Sequence, residues 1–291
     1  MNKKELLFII NPISGGRSKA RMERIINLNL NAVKFNYQIT YTKYAQHGQK
    51  IVEERADDFD AVIAVGGDGT INEIAQSLSL KNIPMGIVPM GSGNGLARHL
   101  GIPLTIEKAI ALINNFHIKT IDTATLNGHF FASIAGIGFD SLIAADFDKA
   151  DGRGFINYAR LTTKEYFAFK EQDYQITIDG KTLERKAALV TFANSNQFGF
   201  ETKIAPNAII DDGLIDVCIM KKPKIFQMPL LMTQIWSSSA HKSELIEIVK
   251  GKHILVAPNK FLYANIDGES VKVGEKVEVL VNHKNLKILI P

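Results

Sequence analysis

Three stretches of this chain share one layout: a continuous apolar run, a glycine-bearing turn, and a helix-like segment. They are "LLFIINPISGG" from Leu6 to Gly16, "DAVIAVGGDGT" from Asp60 to Thr70, and "GIVPMGSGNGLA" from Gly86 to Ala97. A strand that is apolar on both faces must be covered on both faces. Such runs, separated by helical segments like the 3.6-periodic "RSKARMERIINLNLN", specify a parallel sheet between two helical layers. Beyond Ile121 the texture changes to short alternating or aromatic-rich segments: "DTATLNGHFFASIAG", "YQITIDGKTLERKAALVTFAN", "LIDVCIM" and "KVEVLVN". Turn signals such as Asp179-Gly180 join them, so this half reads as antiparallel β, interrupted by helices near Phe155 to Phe169 and Ile225 to Ser239. The expected division is an α/β domain over residues 1–121, to which the tail 284–291 could return, and a β-rich domain over 122–283. With 291 residues and 46% hydrophobic content the chain can fill both cores.

The glycine turns fit neither familiar phosphate-binding template. A dinucleotide fingerprint needs G-x-G-x-x-G and a P-loop needs G-x-x-x-x-G-K-[ST]; "GGDGT", "NPISGGRSK" and "GSGNGLA" match neither. The physical arrangement remains suited to an anion: glycine backbone free to take positive φ and approach a ligand, then a helix start with unsatisfied N–H groups. Thr70-x-x-Glu73 reads as a capping box, which explains both residues without a ligand. Asp68 is not explained that way. A carboxylate beside bound phosphate repels it unless a cation such as Mg²⁺ intervenes, and this one follows the carboxyl end of an apolar strand, where open α/β sheets bind ligands.

Charge and cysteine content narrow the alternatives. Thirty-four Lys and Arg against 30 Asp and Glu leave a net charge of +4, too mild and dispersed to suggest a polynucleotide partner. The single cysteine, Cys218, lies in an apolar run and reads as a small buried side chain of a cytoplasmic protein. The first apolar run stops at Asn11-Pro12, too short for a signal peptide, and no run approaches the roughly 18 residues of a membrane span. The seven histidines form no pair at metal-ligand spacing and no G-x-S-x-G elbow is present, so zinc and serine hydrolysis find no support.

Three motifs taken together carry a resemblance. Asn11-Pro12-x-Ser14-Gly15-Gly16, Gly66-Gly67-Asp68-Gly69-Thr70-x-Asn72-Glu73, and Pro89-x-Gly91-Ser92-Gly93-Asn94 followed by Leu96-Ala97-Arg98 resemble, in order, the nucleotide loops of the diacylglycerol-kinase-like lipid kinases. The resemblance runs over nearly the whole chain. It implies an N-terminal domain like that of NAD kinases and phosphofructokinases and a β-sandwich second domain. It implies ATP binding by Asn11, Pro12, Ser14, Gly15, Thr42, Gly67, Asp68, Gly69, Thr70, Asn72, Glu73 and Ser92, with Asp68 catalytic and a ligand of Mg²⁺. Asp122 in "IDTATLNG" stands where a family aspartate reaches the active-site Mg²⁺ through water; as a lone residue it reads as a turn or edge-strand aspartate. "IAPNAIIDDGLIDV" resembles the family's structural Mg²⁺ site, which would use Asp212 and the carbonyls of Ile209 and Leu214, although "DDG" alone is an ordinary turn. Asp267-Gly268 is a hairpin signal, and the resemblance makes the next residue, Glu269, the general base.

The resemblance leaves the lipid acceptor open, with diacylglycerol as the default and phosphatidylglycerol, a sphingoid base or ceramide as alternatives. A catalytically idle nucleotide or lipid sensor is the reading from another class. "ANSNQFGFET" departs from the family's glycine-rich segment by carrying Phe198 and Phe200, and Gly95 stands where relatives often have Asp or Ala. The stripe "KKPKIFQMPLLMTQIW", Lys221 to Trp236, reads first as core packing, with an interfacial face as the alternative. The expected partners are ATP and a lipid, met by peripheral contact at the inner face of the membrane; homodimerisation is left open.

Overall fold

A computed structural model describes residues 3–14, 19–139, 141–142, 166, 169–198, 202–258, 260 and 262–291. Gly15, Phe200 and nearly all of the helix expected at Phe155 to Phe169 lie outside these residues. The chain divides into two compact units, Met1–Ile121 with Lys284–Pro291, and Asp122–His283.

The first unit alternates strand and helix: β1 (Lys4–Ile10), α1 (Lys19–Asn29), β2 (Phe35–Tyr41), α2 (His47–Arg55), β3 (Ala61–Gly66), α3 (Asp68–Leu78), β4 (Met85–Pro89), α4 (Gly95–His99) and α5 (Ile106–Ile113). The sheet runs β2-β1-β3-β4, every pairing parallel. All of β3 and β4 and the last five residues of β1 are buried, which is why these runs are apolar without alternation. The edge strand β2 is only partly buried and correspondingly mixed, "FNYQITY".

The second unit draws on β5 (Ile118–Leu126), β6 (His129–Phe131), β7 (Ile134–Gly138), β8 (Gln172–Ile178), β9 (Lys181–Ala187), β10 (Leu189–Ala193), β11 (Ile215–Met220), α6 (Met228–Trp236), β12 (Ile246–Gly251), β13 (His253–Ala257), β14 (Tyr263–Ile266), β15 (Glu269–Lys272) and β16 (Val277–Leu289). Strands β5 and β16 contribute residues to both units; the end of β16 adds to the first sheet beside β4, Ile288 pairing with Met85. One antiparallel sheet runs β12-β11-β10-β7-β14-β15; the other contains β16-β13-β8-β9. Their inner faces share one core, with Phe131, Ile176, Val256 and Val279 from one sheet against Ile137, Phe192, Val217 and Ile266 from the other, so this unit is a β-sandwich. Asp179 and Gly180 both have positive φ, 48° and 83°, as a tight hairpin turn requires.

Candidate active site

The described residues expected to bind nucleotide all fall at the carboxyl edge of the first sheet. Asn11, Pro12 and Ser14 follow β1, Thr42 follows β2, Gly67 to Glu73 follow β3, and Ser92 follows β4. The chain leaves β1 towards β2 and returns on the other side as β3, so β1 and β3 flank a topological switch point, where such sheets bind ligands. Hydrogen bonds tie the loops together across it. Asn11 Nδ2 donates to Thr70 Oγ1 at 3.0 Å, the Asn11 N–H donates to the Val65 carbonyl, and the Met90 N–H donates to the Gly66 carbonyl at 2.7 Å.

The glycines serve close approach rather than unusual dihedrals. None of Gly66, Gly67, Gly69, Gly91 and Gly93 has positive φ, contrary to the expectation from sequence; the αL residue of these turns is Asn94, φ 52°. A Cβ on Gly91 would stand 2.8 Å from the Gly67 Cα, and one on Gly93 would stand 2.9 Å from Asp68 Oδ2. The second and third glycine loops therefore touch backbone to backbone. Asn94 closes the third on itself, accepting the Gly91 N–H and donating to the Gly91 carbonyl.

The expected capping box is not formed. The helix starts at Asp68, three residues earlier than that motif needs, so Thr70 is already inside the first turn and takes its bond from Asn11. Glu73 turns to a different helix: its carboxylate accepts the N–H groups of Gln46 at 2.7 Å and Gly48 at 3.3 Å, at the start of α2. Asp68 does the same for α4, accepting the N–H groups of Asn94 at 2.9 Å and Gly95 at 3.0 Å. Thus α3 lends a carboxylate to the N-terminus of each neighbour, while its own N-cap residue, Gly67, has no side chain to cap it and the Asp68 carboxylate also interacts with the Asp68 N–H. A helix start at a switch point, with a glycine as its N-cap, is suited to an anion.

Burial raises the pKa of Asp68, against the pull of the Asn94 and Gly95 N–H groups and the Arg98 charge. An ionised carboxylate held this way gains from a nearby cation, and each oxygen keeps a lone pair beyond its N–H bond, so Asp68 fits a Mg²⁺ ligand.

The remaining expected ligands behave differently. Asp122 lies within β5, fully buried rather than at a turn or edge; its Oδ2 accepts the Gly213 N–H at 2.6 Å and its Oδ1 meets His283 Nδ1 at 2.8 Å. Its own N–H donates to the Ile210 carbonyl, so Asp122 fastens the 210–213 loop. Asp212, in that loop, accepts the Leu214 N–H at 3.0 Å and pairs with the Lys250 ammonium at 3.1 Å; the same ammonium reaches Asp216 at 3.3 Å. An ammonium between two carboxylates supplies the positive charge there, and Mg²⁺ added beside it would meet like-charge repulsion. With Lys250 so placed, these residues do not fit a further divalent cation.

Glu269 opens β15 and is exposed, one residue after a hairpin turn with positive φ at Asp267 (47°) and Gly268 (94°). Sequence reasoning passed over Asp267, whose carboxylate accepts three backbone N–H groups, from Ala132, Ser133 and Ile134 at 2.8 to 3.0 Å. These bonds fix the turn that presents Glu269. Cys218 is fully buried and its pKa is raised by burial and by Asp216, in keeping with an inert packing role.

Comparison with known proteins agrees with this layout. The diacylglycerol kinase catalytic domain model matches residues 5–126, and the YegS C-terminal NAD kinase beta sandwich-like domain model matches residues 133–289. The Bacillus subtilis (strain 168) diacylglycerol kinase is 29% identical over 254 residues, covering 85% of this chain and 82% of that protein. A Yersinia pestis (strain Pestoides F) protein named "Probable lipid kinase YegS-like" is 30% identical over 273 residues, covering 90% of this chain and 89% of its own. A Bacillus anthracis str. Sterne crystal structure, described as a candidate diacylglycerol kinase, superposes with a TM-score of 0.81 at 26% identity over 100% of this chain and 98% of that one. An α/β domain with these three glycine loops, a β-sandwich, and matches to both domain models along the chain have one explanation: the protein is a lipid kinase and belongs to the diacylglycerol kinase and YegS-like lipid kinase family.

Proposed function

We propose that this protein transfers the γ-phosphoryl group of ATP to the hydroxyl of diacylglycerol, giving phosphatidic acid, and needs Mg²⁺ to do so. The observation that supports this most is the start of α3 at the β1/β3 switch point, where the N-cap is a glycine and Asp68 is the first helical residue. Backbone N–H groups of that first turn bind phosphate oxygens, and the close-set glycines at 67 and 91 keep Cβ atoms out of the phosphates' way. Asn11, Ser14, Thr42, Asn72 and Ser92 line the nucleotide, and Glu73 holds the α2 end of the pocket through Gln46 and Gly48. Asp68 is the ligand for Mg²⁺, which when bound supplies Lewis-acid neutralisation of the β- and γ-phosphate oxygens. Asp122 acts by positioning the 210–213 loop, and no step is assigned to a second ion at Asp212.

Glu269 is the general base. It takes the proton of the acceptor hydroxyl as that oxygen bonds to the γ-phosphorus and the bond to ADP breaks. The place of work is the cytoplasm, at the inner face of the membrane, where ATP and diacylglycerol meet. The test is purified protein with Mg²⁺-ATP and a panel of diacylglycerol, phosphatidylglycerol, monoacylglycerol, ceramide and sphingoid bases, read by mass spectrometry. Phosphatidic acid is the expected product; a different phosphorylated lipid would replace the acceptor, and none at all would leave nucleotide or lipid sensing. Glu269→Gln is expected to slow turnover by about 10² to 10⁴ with ATP affinity kept, and an undiminished rate would remove Glu269 from the chemistry.

A further inference from the structure

The apolar stripe before β12 is not wholly core. Leu231 and Ile235 of α6 are 3% and 6% exposed and join a cluster with Ile134, Ala193, Ile204 and Cys218, which fixes the helix to the sandwich. The opposite side of the same segment is mostly apolar too: Ile225 is 65% exposed, Phe226 76%, Leu230 64% and Trp236 59%, with Thr233 exposed among them. Phe226 and Leu230 stand four residues apart, as do Met232 and Trp236, so these side chains form an outward stripe along a helix anchored by other residues. A helix that faces water on that side would carry mostly polar residues there.

The charge carried by the stripe's own stretch of sequence is of one sign. Between Asp216 and Glu244 the sequence has no acidic residue but carries Lys221, Lys222, Lys224 and Lys242. Lys224 sits beside the stripe, its ammonium 5.9 Å from the Phe226 ring centre. In space Lys221 interacts with Glu247 and the Lys222 N–H donates to Glu171, so the charge beside the stripe rests on Lys224. Apolar side chains with such a lysine beside them match an anionic lipid surface, whose acyl region takes the former and whose headgroups attract the latter.

We propose that the 225–236 segment, the turn Ile225–Gln227 followed by α6, is the element by which this kinase docks on anionic phospholipid bilayers. The proposal uses the lipid-kinase reading only in that a lipid acceptor resides in a bilayer; docking itself needs neither ATP nor turnover. Trp236 is the only tryptophan of the chain, so intrinsic emission reports on this segment directly. Nucleotide-free full-length protein is titrated with vesicles of phosphatidylcholine alone and of phosphatidylcholine with phosphatidylglycerol. The expected result is a blue shift of Trp236 emission, and its quenching by brominated acyl chains, with the anionic vesicles at far lower lipid than with the neutral ones. The double variant Phe226→Ser with Leu230→Ser should bind anionic vesicles about tenfold or more weaker, and Lys224→Glu should shrink the preference for anionic lipid.

Vesicle binding with unchanged Trp236 emission would assign docking to another surface and overturn the proposal. So would light scattering that shows a lipid-free dimer in which Trp236 is already shielded from aqueous quencher. Activity on a water-soluble short-chain diacylglycerol, kept by the double variant while activity on vesicles falls, separates docking from chemistry. Loss of both activities with the native circular dichroism spectrum retained would count against it. A native protein that docks through Trp236 but phosphorylates no lipid would instead refute the proposed reaction and leave the docking element standing.

Discussion

Replacing Lys250 with methionine tests whether an ammonium supplies the positive charge of the 209–216 region. Lys250 touches Asp212 at 3.1 Å and Asp216 at 3.3 Å; the Asp216 side chain is 3% exposed and that of Lys250 34%. Breaking a fully buried pair costs about 3 to 5 kcal/mol and an exposed one about 0 to 1 kcal/mol. A buried carboxylate with a half-exposed partner falls between, at about 2 kcal/mol, or roughly 4 to 8 °C in melting temperature for a unit of this size. The pH dependence has a definite sign. Burial already raises the pKa of Asp216, Lys250 opposes this, and Asp212 adds to it. A folded-state pKa above the unfolded one means that the fold holds more protons in that window, so stability falls as pH rises through it. Lys250→Met removes the opposing charge and widens the window upwards. Its destabilisation should therefore be largest near neutral pH and shrink as pH falls towards the usual aspartate range.

The same variant should acquire what the native protein does without at this position. Asp212 and Asp216 without the ammonium are two carboxylates in want of a cation, and millimolar Mg²⁺ should raise the melting temperature of Lys250→Met while EDTA reverses the rise. Adding Asp212→Asn should abolish that response, which separates it from any Mg²⁺ effect at Asp68. Thermal unfolding followed by circular dichroism, without nucleotide, reads all of these. The reasoning is refuted if Lys250→Met melts with the native protein at every pH. It is equally refuted if the native protein shows a Mg²⁺ stabilisation that Asp212→Asn removes, since the ion would then bind with Lys250 in place.

Two other substitutions probe the glycine loops. Gly91→Ala puts a Cβ 2.8 Å from the Gly67 Cα, a backbone atom that cannot swing aside, so the loops must part; about 1 to 3 kcal/mol of stability should be lost along with ATP affinity, measured by denaturant titration and calorimetry. Glu73→Ala removes the acceptor for the Gln46 and Gly48 N–H groups and should cost about 1 kcal/mol, as loss of a helix cap does, with faster hydrogen exchange confined to the start of α2.

The sheet of the first unit was legible because β1, β3 and β4 are buried on both faces and so carry unbroken apolar runs that no other element explains. The hairpins were legible because Asp-Gly is among the few pairs that tolerate two successive positive φ values. The partners of the carboxylates were not. The capping box is a rule about neighbours in sequence, whereas Asp68 caps a helix 26 residues on, Glu73 one 27 residues back, and Asp122 meets a histidine 161 residues away. Periodicity also failed at α6, because hydrophobic spacing reports that a face is apolar and not what covers it. There the inner residues Leu231 and Ile235 and the outer residues Phe226 and Leu230 look alike in sequence.

Asp68 shows how the structure changes the design of a test. Read from sequence, it is a catalytic residue and a metal ligand; in the fold it also joins two glycine loops through the N–H groups of Asn94 and Gly95. Asp68→Ala therefore combines the loss of a cap, about 1 kcal/mol, with the loss of a ligand, and activity alone cannot divide the two. Ligand linkage can. Mg²⁺-ATP at a hundredfold excess over its dissociation constant stabilises a native fold by about 2.7 kcal/mol. If Asp68 holds the ion, Asp68→Ala should lose most of that increment, while nucleotide without Mg²⁺ should stabilise both proteins alike or favour the variant, which no longer sets a buried negative charge beside phosphate. The pKa of Asp68, raised by burial, points the same way: burial disfavours the charged carboxylate, and a cation beside it favours that form. A variant that is merely less stable yet keeps the full Mg²⁺-ATP increment would reduce Asp68 to the cap of α4, and the metal would have to be held by other residues.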